Sequence, residues 1–256
     1  MNAPAMARGL LADEATLRRD LAAAYRLVAL FGWDDLVATH ISVRLPGEEN
    51  AFLINPFGML FEEIRPQDLI KVDLEGNVLS PTQWPINIAG FVIHSAIHAA
   101  RHDVTCAMHL HTPDGIAVSM LEEGLLPLNQ TAMLLAGDIA FHEFEGIATE
   151  VDERERLVAD LGEKNAMFLR NHGTLTLGRT IAQAFTAMYF LETACTIQVK
   201  ALGMGRAIHP VGQEVVEKVA GQFRMMGSAG LAENLVWPAM LRKLDRIAPG
   251  WRGEAA

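Results

Sequence analysis

Val104-Thr105-Cys106-Ala107-Met108-His109-Leu110-His111 is the stretch on which the reading of the fold turns. A strand sets residues i and i+2 on one face. Val104, Cys106, Met108 and Leu110 therefore form a packed apolar row, and His109 and His111 share the opposite face. Two imidazoles two residues apart on a rigid element suit a divalent ion that takes nitrogen ligands. Two solvated histidines would leave the same pattern, so a third ligand decides the matter. Arg170-Asn171-His172-Gly173 offers one, in a tight turn between the apolar runs Ala166-Met167-Phe168-Leu169 and Thr174-Leu175-Thr176-Leu177. Gly173 is expected to take positive φ there and present the ring at the sheet end. A strand-borne pair plus a turn-borne third makes a three-nitrogen site with open positions, the arrangement of a catalytic zinc site. Spacing alone leaves open whether His172 folds back onto the pair or is a solvated hairpin tip.

Working outward, the 256 residues suffice for one large α/β domain with a substantial core. Half the chain is hydrophobic and the formal net charge is −10, which disfavours nucleic acid and anionic membrane as partners. No apolar run approaches a membrane span, and the first eleven residues lack the core of a signal peptide. Cys106 and Cys195 both lie in apolar-patterned elements. Buried free thiols suit a reducing compartment better than a disulfide would, so a cytoplasmic protein is expected.

Leu17, Leu21, Ala24, Tyr25 and Val28 repeat at helical spacing and Gly32 follows as a C′ residue, giving a first helix over 13–31. His40-Ile41-Ser42-Val43-Arg44 and Phe52-Leu53-Ile54 read as strands across the Pro46-Gly47 turn. The run Ile70 to Leu79 reads as a hairpin. A helix over 86–102 leads into the His-x-His strand. Ile139-Ala140-Phe141 and 166–169 are further strands, with a short helix over 153–162 between them. The helix over 180–202 has Thr180 and Gln183 as a capping box and Gly203 at its end. Everything after about 210 is helical by pattern. No linker or repeat appears, so a single domain over 1–256 with a helical C-terminal extension is expected. Its sheet is expected to be largely antiparallel and covered by helices on both faces.

Several of these runs together carry a resemblance. Asn55-Pro56-Phe57-Gly58, then Val72 to Val78, then His94 to Val104, then His109-Leu110-His111-Thr112, then Arg170-Asn171-His172-Gly173 follow in the order found in the class II aldolase/adducin family. The resemblance runs from about residue 15 to 205. It implies a three-layer α/β/α fold and a homotetramer with sites at subunit interfaces. It also implies a divalent metal, usually zinc, on His109, His111 and His172; three imidazoles alone would accept iron, manganese or cobalt as well. Aldolases of the family use the metal to polarise a ketone and stabilise an enediolate, while a glutamate moves the proton.

This chain departs from the aldolases at that glutamate. Four residues before His94 stands Gly90, and Ile88 and Ala89 replace serines that help bind phosphate. The family's asparagine in the first strand corresponds to His40, and Asn55-Pro56-Phe57-Gly58 replaces a Thr-Pro-Ser/Thr-Gly loop. These changes resemble adducin head domains, which are cytoskeletal modules that generally lack the full histidine set kept here. Both tyrosines, Tyr25 and Tyr189, lie in helix patterns, so neither matches the catalytic tyrosine of some family aldolases. His40 and His94 are the candidate replacement acid/base groups, and Asn55, Gly58, Arg44 and Asn171 the candidate substrate contacts. The expected function is a metal-dependent carbon–carbon lyase, aldolase- or decarboxylase-type, on a small non-phosphorylated keto or hydroxy acid. The competing expectations are a non-catalytic adducin-like assembly module with a vestigial metal site, and a metal-dependent oxygenase. His98 and His102 share a helix face with His94, which reads as a partly solvated edge; His142 reads as part of a polar strand face. Glu192 either pairs with a buried partner or faces solvent.

Overall fold

The computed structural model describes residues 12–147 and 152–252. The sheet has seven strands, and their order follows from how far apart in the chain the partners lie. β1 (His40–Leu45), β2 (Glu48–Ile54) and β3 (Ile70–Asp73) form an antiparallel meander at one edge. β4 (Cys106–Leu110) pairs with β1 on one side and with β7 (Gly173–Gly178) on the other, both antiparallel. β6 (Ala166–Leu169) follows β7, and β5 (Ile139–His142) closes the far edge, giving the order β3-β2-β1-β4-β7-β6-β5.

The expected antiparallel sheet needs one correction. β5 and β6 run parallel, because α5 (Glu153–Leu161) carries the chain back between them and a crossover of that kind sets strands side by side in one direction. The expected 70–79 hairpin has a full strand only in its first arm; its second contributes one bridge, Val72 to Val78.

Helices cover both faces, making three layers. On one side lie α1 (Glu14–Leu30), α3 (Pro113–Ser119) and α6 (Ile181–Gly203); on the other lie α2 (Ile88–Ala100) and α5. Period-two alternation sorts the strands between them. Ile41, Val43 and Leu45 of β1, with Cys106, Met108 and Leu110 of β4, join the cluster built on α1 and α6. Ala107 and the β7 residues Leu175 and Leu177 pack with Val92, Ile93 and Ile97 of α2. After α4 (Gln130–Leu134) and the long α6 come α7 (Gln213–Met225), α8 (Ser228–Leu231), a π-turn over Ala232–Val236 and α9 (Trp237–Ile247). Trp237, Leu244 and Trp251 pack into the same cluster as α1 and α6.

The helix ends are capped as their sequences require. Asp13, Asn87, Thr112 and Thr180 each accept from a backbone N–H in the first turn of α1, α2, α3 and α6. Gly32 beyond α1 has φ +68°, as its C′ position demands. Among the described residues no helix is long and apolar enough to cross a membrane. Cys106 and Cys195 are buried and not joined to one another.

Candidate metal centre

His109 lies inside β4, His111 just beyond its end, and His172 in the three-residue turn between β6 and β7, where Leu169 pairs with Gly173. The Nε2 atoms of His109 and His111 are 2.9 Å apart, as are those of His111 and His172. All three rings thus offer a ligand atom within 4.8 Å of one another. The turn that sequence spacing could not place folds back onto the pair.

The turn works differently from expectation. Asn171, not Gly173, takes the left-handed conformation, at φ +59°; asparagine tolerates it because its side chain is short and polar. Gly173 is required by close approach: a Cβ there would lie 2.4 Å from the Leu110 carbonyl oxygen and 3.1 Å from the His111 ring. Asn171 itself is exposed and serves the turn.

The hydrogen bonds of the trio test whether an ion belongs there. His109 Nδ1 lies 2.9 Å from the Thr174 carbonyl, which can only accept, so His109 carries its proton on Nδ1 and turns a lone pair inward. His111 Nδ1 lies 3.0 Å from the Asp35 carboxylate and is oriented the same way. With both rings neutral, two Nε2 lone pairs would face each other at hydrogen-bond distance with no hydrogen between them. Burial, with the neighbouring imidazoles, holds His109 well below the ordinary histidine range and takes His172 down to about 4. A proton is therefore a poor bridge, whereas a divalent cation satisfies every lone pair at once. The donors, their tautomers and the partners that fix them fit a divalent metal.

Beside the trio, His40 stands on β1 in register with His109, the two rings 5.0 Å apart. Its ring fills the space in front of Gly90, where a Cβ would fall 2.4 Å from His40 Cδ2. Glycine at 90 and histidine at 40 are therefore one arrangement. A side chain at 90 and an imidazole at 40 cannot share that volume.

His94 and His98, expected at a partly solvated helix edge, are both buried. They project from α2 onto β1, where His40, Ser42 and Arg44 alternate with the apolar residues. The 40/42/44 spacing on a strand matches the 94/98 spacing on a helix. His94 lies 2.8 Å from His40, and Ser42 meets both His94 and His98.

Other candidates are held elsewhere. Arg44 donates to the carbonyls of His98, Arg101 and Val104 at the C-terminal end of α2, where a cation complements the helix dipole. The side-chain oxygen of Asn55 accepts from Tyr25, and its amide approaches the Thr39 carbonyl next to His40. Gly58, at φ +114°, lies against Trp84. His142, expected on a polar face, is buried with Nδ1 2.7 Å from Asp160.

Glu192 of α6 is buried beneath the site. Thr174 donates to it at 2.7 Å and Thr112, beside His111, also donates. Burial outweighs these two hydrogen bonds and pushes the carboxyl up to about 7. The folded state thus holds this proton more tightly than the unfolded chain, whose carboxyl titrates near 4.5. Stability contributed by the protonated form is lost as pH rises from about 4.5 through about 7. The buried neutral histidines tilt stability the other way below about pH 6.5. The readout is therefore a difference: from pH 5 to 8 the melting temperature of the unaltered protein relative to Glu192→Gln should fall as pH rises, and a pH-independent difference would refute the assignment.

A mixed seven-stranded sheet in three layers, with a triple-imidazole cluster at the end of its central strand, is the architecture of the class II aldolases. The family description "Class II Aldolase and Adducin N-terminal domain" matches residues 19–199, and the chain belongs to the class II aldolase/adducin family. An L-fuculose 1-phosphate aldolase from Glaciozyma antarctica superposes with a TM-score of 0.82 at 30% identity, over 95% of this chain and 96% of that one. A Caulobacter vibrioides protein, named only provisionally as an aldolase class 2 protein, is 53% identical over 91% of each chain. Mouse alpha-adducin is 43% identical over 74% of this chain, which spans 26% of that much longer protein.

Proposed function

We propose that the protein is a metal-dependent carbon–carbon lyase, of aldolase or decarboxylase type, acting on a small non-phosphorylated keto or hydroxy acid. The observation that carries the reading is the convergence of His109, His111 and His172, with Thr174 and Asp35 fixing two of the rings with lone pairs inward. These three would hold the ion, and zinc suits three neutral imidazoles with room left for substrate. When bound, the metal supplies Lewis-acid polarisation of a substrate oxygen. His40 takes the volume that a side chain at 90 would need, which supports it as the acid/base group that meets the substrate beside the metal, with His94 bonded behind it. Ile88 and Ala89 offer no hydroxyl to a phosphate, which supports a non-phosphorylated substrate. Asn55, held by Tyr25, and Gly58, against Trp84, shape the loop that follows β2, and their proposed part in substrate binding is an indirect one, through that loop. The buried free thiols support a cytoplasmic location, and the family supports a homotetramer.

A second reading, an adducin-like assembly module, draws on the 43% identity to alpha-adducin. Metal analysis of the purified protein separates the two, followed by a screen of keto and hydroxy acids for release of aldehyde or CO₂. About one metal per chain with turnover of an acid supports the lyase. Bound metal with oxygen consumption would redirect the reading to an oxygenase, and absence of metal would leave the assembly role.

A further inference from the structure

Behind the metal centre, a line of buried polar groups runs between β1 and α2. His40 Nδ1 lies 2.8 Å from His94 Nε2, His94 Nδ1 meets Ser42 Oγ, and Ser42 Oγ lies 2.7 Å from His98 Nε2. All four side chains are at most 2% exposed. At the far end, His98 Nδ1 is buried without a partner among the described residues. Burial holds His94 well below the ordinary range and His98 at about 3, so these rings are neutral and each carries one hydrogen.

With one hydrogen in each contact and the serine hydrogen used, only two arrangements exist. In the first, His98 Nε2–H donates to Ser42, Ser42 donates to His94 Nδ1, and His94 Nε2–H donates to His40 Nδ1. His40 then carries its hydrogen on Nε2, and the unpartnered His98 Nδ1 is a bare lone pair. In the second, every hydrogen is reversed, His40 Nε2 is bare, and His98 Nδ1–H is a buried donor with no acceptor. A buried orphan N–H is the rarer and costlier of the two. The Arg44 guanidinium, bonded to the His98 carbonyl, also favours a lone pair on that ring. Both arguments select the first arrangement.

We propose that this hydrogen-bonded line fixes His40 as an Nε2–H donor for a substrate carboxylate, presented on the ring edge that faces the side-chain-free Gly90 beside the metal trio, with Ser42 and His98 as its positioning residues. The inference rests on the lyase reading for the substrate. It then explains why a glutamate is absent at 90: a carboxylate there would repel an acidic substrate, whereas an N–H donor attracts one. A charge-assisted bond of this kind is stronger than a neutral one.

The test uses the full-length protein with 15N-labelled histidine and solid-state NMR, which reads which ring nitrogen carries hydrogen. His40, His94 and His98 should all carry it on Nε2. Ser42→Ala should break the uniform pattern at His94 and His40, and Ser42→Thr, which keeps the hydroxyl, should retain it. His98→Gln, whose amide can still donate to Ser42, should retain it at His94 and His40, whereas His98→Leu should not. In zinc-loaded protein, Ser42→Ala should weaken oxalate binding about tenfold while zinc content stays unchanged. Hydrogen on Nδ1 of His40 in the unaltered protein, or a pattern indifferent to Ser42→Ala, overturns the inference. Failure of the unaltered protein to bind any divalent metal overturns the lyase reading and the carboxylate role with it, whatever the tautomers show.

Discussion

Gly90→Glu alone should destabilise the protein by about 2 kcal/mol, and His40→Asn should rescue most of that loss. The added Cβ would sit 2.4 Å from one His40 ring carbon and 2.7 Å from Nε2. Overpacking a buried site costs roughly 1–3 kcal/mol, and this contact is at the severe end. Replacing a helical glycine returns about 1 kcal/mol of helix propensity, so the clash wins by a smaller margin than the contact alone suggests. His40→Asn by itself also destabilises, since it empties a buried volume and strips His94 of a partner. Combined, the two changes exchange one filled arrangement for another. Their effects should fall short of additivity by about 2 kcal/mol in a urea-denaturation double-mutant cycle. Additivity within about 0.5 kcal/mol would show that the ring and the helix position are independent. The double variant also places a carboxylate beside the metal centre, so its substrate range should be compared with that of the unaltered protein.

His172→Ala should reduce bound metal from about one equivalent per chain to near zero after dialysis against micromolar zinc. Apparent zinc binding energies of about 10–16 kcal/mol are spread over four ligands in structural sites, or roughly 3 kcal/mol each. Losing one of three therefore weakens binding by a factor on the order of 100 or more. His172 is the cleanest ligand to remove because it is half-buried in a turn, whereas deleting fully buried His109 would also leave a cavity. Metal at a thousandfold excess over its dissociation constant should stabilise the unaltered protein by about 4 kcal/mol, and the variant should show no such gain on melting. Asp35→Ala, which frees only the back of His111, should cost roughly tenfold in affinity. Full stoichiometry in His172→Ala would remove the centre from consideration.

Much of this was legible in the chain because strands announce their faces. Alternation in β4 set His109 opposite Cys106 and Met108, and the turn signal at 170–173 put His172 at a sheet end. The burial of His94 and His98 was hidden because α2 is buried nearly all round, from Gly90 to His98, so helical periodicity gave no direction. The missing signal lay on β1, where His40, Ser42 and Arg44 form a polar column facing α2. Asp35 was invisible for a different reason: it lies in the loop after α1 and reaches His111 across 76 positions. Glu192 was ambiguous until Thr112 and Thr174 were seen to enclose it. The parallel β5–β6 pair could not be read from alternation, which is identical in both directions; the intervening helix was the available cue.

The placing of β4 in the sheet bears on how the chain folds. The β1–β2 and β6–β7 hairpins close over turns of two and three residues and β3 joins β2 across a loop of fifteen, but β4 is bonded on both flanks to strands more than sixty positions away. Loop-closure entropy makes such pairings slow, so the local pieces can assemble before the central strand joins them. Until it does, the chain holds only an adjacent pair of imidazoles and a distant third. Ion capture therefore waits on the last and most demanding docking event, and the rate of metal uptake during refolding is a clock for the closing of the sheet.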